Sequence, residues 1–274
     1  MTEVPGNDPS VAEARRRYPS GLIQAERGAR FSMDGPMLAA FAASRFSDGR
    51  GIGLKNPLRR QAFGIDRASF AVMDIGCGCG ACLAGFLCLR GDAKGMGIDR
   101  EAAHVEAARA NARLLGLEDR MVFETLDAAD LAQVERPYCD IALTNPPYWE
   151  AGRGRRSQRE LDDLARRSLD ANRAFFAAAR AVLVHHGTLY VVFPARRVCE
   201  LSAVLHATHF GVRAMRYVRP HKDRPASRVL VEAQKEAAHD VVVLPDLVLY
   251  AREGRTADER VVTPQAHALC PWLR

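Results

Sequence analysis

The chain has 274 residues, 48% of them apolar in the broad sense and 26% charged, an ordinary globular composition that excludes disordered, collagen-like and disulfide-scaffold classes. No stretch approaches the roughly 20 apolar residues of a membrane span, and the first twenty residues carry Glu3, Asp8 and Glu13 with no apolar core segment, so a cytoplasmic protein without membrane association is expected. Lys and Arg total 39 against 33 acids, a net charge of +6 too small to imply a uniformly basic surface.

Residues 1–20 are polar, hold Pro5, Gly6, Pro9 and Pro19, and show no period, which predicts a flexible arm with a basic knot at Arg15, Arg16 and Arg17. Residues 22–43 predict a short extended piece, a turn, and a helix beginning near Pro36, since proline suits a first turn. Phe70 to Ile75 reads as a buried strand, Gly76 to Gly80 as a tight turn, Ala81 to Leu89 as a helix, and Gly95 to Ile98 as a second strand ending in Asp99. Arg100 to Leu117 is a helix with Val105, Ala108, Ala112 and Leu115 on one face. Strands are expected at Met121 to Thr125 and at Asp140 to Thr144, then a helix over Ser168 to His185 ended by Gly187. A strand over Thr188 to Phe193 follows, then a helix near Cys199 to His209, and a hairpin from Val212 to Val218 and Arg228 to Ala233. Strands alternating with helices predict an α/β fold: a mostly parallel sheet with helices on both faces, closed by an antiparallel pair. The expected organisation is an arm over 1–20, one α/β domain over 21–250 and a tail over 251–274. The absence of an exposed apolar stripe or heptad pattern leads to a monomer.

Asp74-Ile75-Gly76-Cys77-Gly78-Cys79-Gly80 lies where the first strand passes into the first helix, where glycines let backbone turn sharply and approach a ligand. Gly76, Gly78 and Ala81 satisfy the dinucleotide pattern, and Asp99 lies where a ribose-binding acid is expected. The pattern alone does not separate NAD from S-adenosylmethionine, because a carboxylate holds the ribose diol of either. Asn145-Pro146-Pro147-Tyr148 is more specific. Two prolines make a rigid segment at a strand end, able to aim the Asn145 side-chain oxygen and the Pro146 carbonyl at one planar amine. Tyr148 offers a stacking face, with Trp149 beside it. An exocyclic amine is a poor nucleophile because its lone pair is delocalised; two acceptors favour a pyramidal nitrogen turned toward an electrophilic methyl.

With these segments, the sequence resembles the class I S-adenosylmethionine-dependent methyltransferases of the Asn-Pro-Pro-Tyr type. It looks most like bacterial tRNA adenine-N6 methyltransferases that modify the adenosine 3′ of the anticodon of valine tRNA. The outer segments that narrow the family are Leu22-Ile23-Gln24 with Phe31-Ser32-Met33-Asp34, Asn111 with Leu117 to Arg120, Ala165-Arg166, and Val218-Arg219-Pro220 with Ser227 to Leu230. The resemblance implies a Rossmann-like, seven-stranded fold, S-adenosylmethionine as cofactor and tRNA as partner. It further implies that Asp74, Gly76 and Gly78 line the methionine end, Asp99 holds the ribose, Asp127 reaches the adenine amino group, and Asn145 and Tyr148 position the target base. The cysteines at 77 and 79, Arg167-Ser168 and the tail from Arg255 depart from the family pattern.

Four of the seven cysteines, Cys77, Cys79, Cys82 and Cys88, fall within twelve residues, which suits a reducing compartment. A metal pulling thiolates together would distort the glycine turn, so no metal is expected. Residues 151–180 hold eight arginines against four acids, and residues 213–228 hold six basic residues against Asp223 alone. Arg153, Arg155, Arg156 and Arg159 directly after the proline segment, with Arg219 and Arg228 at the hairpin, are therefore candidate contacts to RNA phosphates. The rival enzyme readings are a glutamine-N5 methyltransferase on release factors and a guanine-N2 methyltransferase on rRNA, which pose the same nucleophile problem. A non-enzymatic rival is an RNA-binding protein that retains the fold, against which the intact Asp99 and Asn145 stand.

Overall fold

In the computed structural model, which describes residues 8–26, 31–46, 70–133, 138–147, 170, 172–252 and 260–273, the apolar run Phe70–Ile75 forms β1 at the centre of the sheet. Its residues alternate between two cores. Val72 faces one with Ile141 and Leu143, whereas Ala71, Met73 and Ile75 face the other, as a strand covered on both sides requires. β1 pairs in parallel with β2 (Ala93–Asp99) and with β4 (Cys139–Thr144). β3 (Met121–Thr125) lies outside β2, and β5 (Leu183–Pro194) outside β4, both parallel. β7 (Arg228–Lys235) then runs antiparallel between β5 and β6 (Phe210–Arg219), giving the expected hairpin.

Helices α2 (Asp34–Arg45), α3 (Ala81–Leu89) and α4 (Ala102–Leu114) contribute to the first core. The helix over 172–182, here α6, and α7 (Val198–Ala207) contribute to the second. Between them α5 (Ala128–Leu131) is a single turn capped by Asp127. Among the described residues no helix is long and apolar enough to cross a membrane.

Four expectations are corrected. An eighth strand, β8 (Val242–Val248), joins the seven, pairing in parallel with β6 at the sheet edge. Beyond it the region expected as a tail contains a small ladder, β9 (Tyr250–Arg252) with β10 (Val261–Val262), and α8 (Pro264–Leu269), whose Ala266, like Cys270 and Leu273 after it, is buried in the first core. β5 begins at Leu183, so His185 and His186 belong to a strand and not to a helix end. Tyr138 N–H donates to the Val182 carbonyl and Lys235 Nζ to that of Leu183, drawing the chain into the sheet before Gly187.

The fourth correction concerns the N-terminal arm. Residues 9–17 form α1 (Pro9–Arg17), capped by Asp8, whose carboxylate accepts from Ser10 N–H at 2.8 Å. Arg15 donates to the carbonyls of Leu115 and Gly116 at 2.8 and 3.1 Å, satisfying groups left open at the end of α4. Tyr18 is buried: its hydroxyl donates to the Ala81 carbonyl at 2.6 Å and its ring meets Trp272 edge-on at 4.7 Å. α1 itself buries no residue completely, which is why its sequence shows no apolar stripe. Tyr18→Ala is therefore expected to cost about 3 kcal/mol or more, read as a lower urea midpoint. An unchanged midpoint would return the segment to a loose arm.

Candidate active site

Three strand ends define the site. Ile75 is level with Ile98 on one side and Thr144 on the other, so Asp99, Gly76 and Asn145 follow at one height on adjacent strands. Gly76 and Cys77 N–H both donate to the Ile98 carbonyl, at 2.9 and 2.8 Å, and Thr144 Oγ1 donates to the Ile75 carbonyl at 3.1 Å. These bonds tie the glycine turn to β2 and the Asn-Pro-Pro segment to β1. Gly76, Gly78 and Gly80 have φ of +73°, +53° and +78°, a conformation that favours glycine over residues with a Cβ. Gly78 N–H donates to Asp99 Oδ2 at 2.9 Å, and Asp99 Oδ1 accepts from Glu101 N–H at 3.0 Å and lies 3.2 Å from His104 Nδ1.

The buried Asn111 holds the turn from behind. Its amide donates to the Cys79 carbonyl and to the Ile23 carbonyl, while its oxygen accepts from Ile23 N–H, all at 2.8 to 2.9 Å. Gln24 and Ala25 are thereby set at the wall of a cavity of about 680 Å³. Asp74, Gly76, Gly78, Asp99, Asp127 and Asn145 all line that cavity, so the structure brings together six residues singled out from the sequence. Pro146 is buried beneath them and Pro147 reaches the cavity. Tyr148, Trp149, Arg153, Arg155, Arg156 and Arg159 lie outside the described residues.

Arg219 and Arg228 do not line the cavity, and both are engaged within the fold. Arg219 donates to Asp246 at 2.5 Å and to the Arg224 carbonyl; Arg228 donates to Asp34 at 2.9 Å and to the Ser227 carbonyl. Sequence reasoning missed Glu101 and His104, on the turn and helix after Asp99, and the aromatic wall Phe175; Phe31 enters it only as part of a family segment, without a place in the cavity. A polar residue in the first turn after a ribose-binding acid is a readable signal; a phenylalanine inside a helix is not.

Charge in the cavity is lopsided, with Asp99, Glu101 and Asp127 facing Arg100 and the carboxyl of Asp74 below them. Asp74 is buried beneath the turn, and desolvation pushes its pKa up to about 7, aided by nearby Asp99 and opposed by the Leu83 N–H that donates to it at 3.2 Å. Burial also raises the Cys77 and Cys82 thiols well above their usual range and Cys79 to about 11, so these groups stay protonated and serve as small apolar wall. Among the described residues, no three His, Cys, Asp or Glu side chains are grouped to hold a metal ion.

Comparison with known proteins finds similarity over parts of the chain. Residues 88–203 match the family described as RMKL-like, methyltransferase domain; the glycine turn precedes the matched segment. Over 77 residues the chain is 43% identical to the release factor glutamine methyltransferase of Rhodospirillum rubrum, covering 28% of this chain and 23% of that one. Over 124 residues it is 28% identical to the tRNA1(Val) (adenine(37)-N6)-methyltransferase of Dyadobacter fermentans, covering 44% and 50%. The chain thus spans half or less of the length of these curated relatives. A predicted O-methyltransferase from Agrobacterium tumefaciens superposes with a TM-score of 0.63 at 18% identity, over 88% of this chain and 96% of that one, and shows the class I methyltransferase fold.

The Asp74 carboxyl, ordinarily near 3.8, keeps its proton in the folded state up to about pH 7. Between those values the unfolded chain releases a proton that the folded chain retains, so this group's contribution to stability falls as pH rises through the window. Asp74→Asn cannot ionise in either state and keeps an acceptor for Leu83. Its advantage over wild type is expected to widen by roughly 2–3 kcal/mol between pH 5 and pH 8. Melting curves at the two pH values check this, and a constant gap would mean that Asp74 is ionised in the folded protein.

Proposed function

We propose that this chain is an S-adenosylmethionine-dependent N-methyltransferase acting on the exocyclic N6 of an adenine in tRNA. The observation that carries the cofactor reading is the charge of the cavity. Apart from the buried Asp74, three acidic side chains, Asp99, Glu101 and Asp127, face one arginine, and the Gly78 amide that a pyrophosphate would need is turned onto Asp99. A dinucleotide would bring two phosphates into that field. A phosphate-free, cationic adenosine derivative with a ribose diol suits it, with Asp99 for the diol, Asp127 for the adenine amine and the Gly76 turn for the methionine end. When bound, this cofactor supplies a methyl group made electrophilic by a sulfonium.

The chain's own residues hold the nucleophile. Asn145 and the Pro146 carbonyl present acceptors to the two amine hydrogens, which keeps the nitrogen lone pair directed at the methyl. Methylation of an amine held in this way would leave it cationic and able to give up one proton to water, so no strong base would be required of the chain. Phe31 lines the same cavity as Asn145 and offers a flat apolar surface, which supports a planar base as target. The tRNA partner is supported by the 124-residue similarity and by the arginines of residues 151–180, and neutralised phosphates would make binding weaken with salt. The higher identity over 77 residues favours a second reading, a glutamine amide in a release factor, which the same acceptors would serve.

Asp99→Ala is expected to weaken S-adenosylmethionine binding by about 2–3 kcal/mol in calorimetry. Asn145→Ala should bind the cofactor normally and turn over at least about 100-fold more slowly, because it removes an acceptor that acts in the transition state. Nucleoside mass spectrometry of tRNA from cells with and without the gene tests the substrate. Loss of N6-methyladenosine supports adenine; loss of methylglutamine from a release factor replaces it with the second reading.

A further inference from the structure

We propose that Phe175 forms the aromatic wall of the sulfonium seat and biases the site toward the charged methyl donor over its demethylated thioether product. The inference rests on reading the cavity as an S-adenosylmethionine site and assigns a residue that neither the sequence motifs nor the cofactor contacts above include. The strand order places the seat. Asp99 ends β2 and Asn145 follows β4, with β1 between them, so the two side chains stand roughly 10 Å apart across two strand spacings. A cofactor whose ribose is on Asp99 and whose methyl must reach an amine on Asn145 carries its sulfur over the end of β1, above Gly76.

Phe175 occupies the wall at that point. It projects from α6 into the cavity that Gly76, Asn145 and Pro147 also line, and it packs on the second core. A Cβ placed on Gly76 would lie 2.5 Å from Phe175 Cε1 and 3.0 Å from Cζ, so the ring rests directly on the glycine. Glycine at 76 therefore has two causes: its φ of +73° and the approach of this ring. An aromatic ring beside a cation in a partly desolvated site attracts it through the ring quadrupole, and the attraction disappears when the sulfur becomes a neutral thioether. The ring thus acts on the difference between donor and product, while Asp99 and Asp127 hold the adenosine common to both. Asp74 beneath the turn would favour a cation only once ionised, above about pH 7, so the ring's share is isolated by changing Phe175 at one fixed pH below that value.

The test measures dissociation constants of S-adenosylmethionine and S-adenosylhomocysteine by calorimetry for wild type, Phe175→Leu and Phe175→Tyr. Leucine fills similar apolar volume without a π face. It is expected to weaken binding of the sulfonium compound about 5- to 30-fold and leave the thioether within about 2-fold, whereas tyrosine should restore the wild-type ratio. If the leucine variant does not fold, Phe175→Met is read the same way. Equal weakening of both ligands would mean a packing contact only, and no change in either would remove Phe175 from the site; both overturn the proposal and leave the cofactor reading intact. A wild type that binds neither ligand would overturn the cofactor reading itself.

Discussion

Parallel pairing of β1 with β2 on one side and β4 on the other is the constraint on which the site depends. Parallel strands carry their carboxyl ends to the same edge, so Asp99, a glycine turn and a proline-stiffened asparagine arrive together although 46 residues separate Asp99 from Asn145. The Ile98 carbonyl accepts two N–H bonds from the turn, and Thr144 ties β4 to β1 by one more. Slippage of one residue in either pairing would turn Asp99 or Asn145 to the opposite face of the sheet and empty the site of one half of its chemistry.

The same arrangement places an acid where stability alone would put an apolar residue. Asp74 sits on the core side of β1, beneath α3, and its partner there is the Leu83 amide. Burial holds it protonated up to about pH 7, so at higher pH it costs stability that an asparagine would not. A conflict of this sort between local stability and cavity chemistry is expected at functional sites rather than elsewhere.

Distant segments hold the walls in place. α2 carries Gly35 to the cavity, just after Phe31 and Ser32, and is fixed at its start by Asp34 to Arg228 at 2.9 Å and at its end by Arg45 to Glu232 at 2.7 Å. Both carboxylates are nearly buried, so removing either arginine would leave a charge with its desolvation uncompensated. The two ends of the described chain meet behind α3. Tyr18 packs against Trp272, and a Cβ on Gly85 would lie 2.5 Å from the Tyr18 hydroxyl. The helix that begins at the glycine turn is thus clamped by segments from opposite ends of the sequence.

Local order was legible from residue pattern. Short apolar runs, the glycine cluster, and Asn145 followed by two prolines each encode their backbone within a few residues, and they located β1 to β4, the turn and six cavity residues. Pairing partners far apart in the chain were not legible. Arg219 and Arg228 read as phosphate contacts because a run of basic residues carries no record of Asp246 or, 194 residues away, Asp34. α1 read as a loose arm because it is attached by Arg15, the following Tyr18 and the half-buried Val11 and Ala14, too few apolar positions to show a stripe. Nothing near Phe175 in the sequence indicates a ligand; only the fold lays its ring on Gly76. Composition and short-range periodicity therefore located the elements around the cavity and six of the residues that line it. The tertiary structure alone decided which charges are used up inside the fold and which side chains face the cavity, because those depend on neighbours that no local pattern encodes.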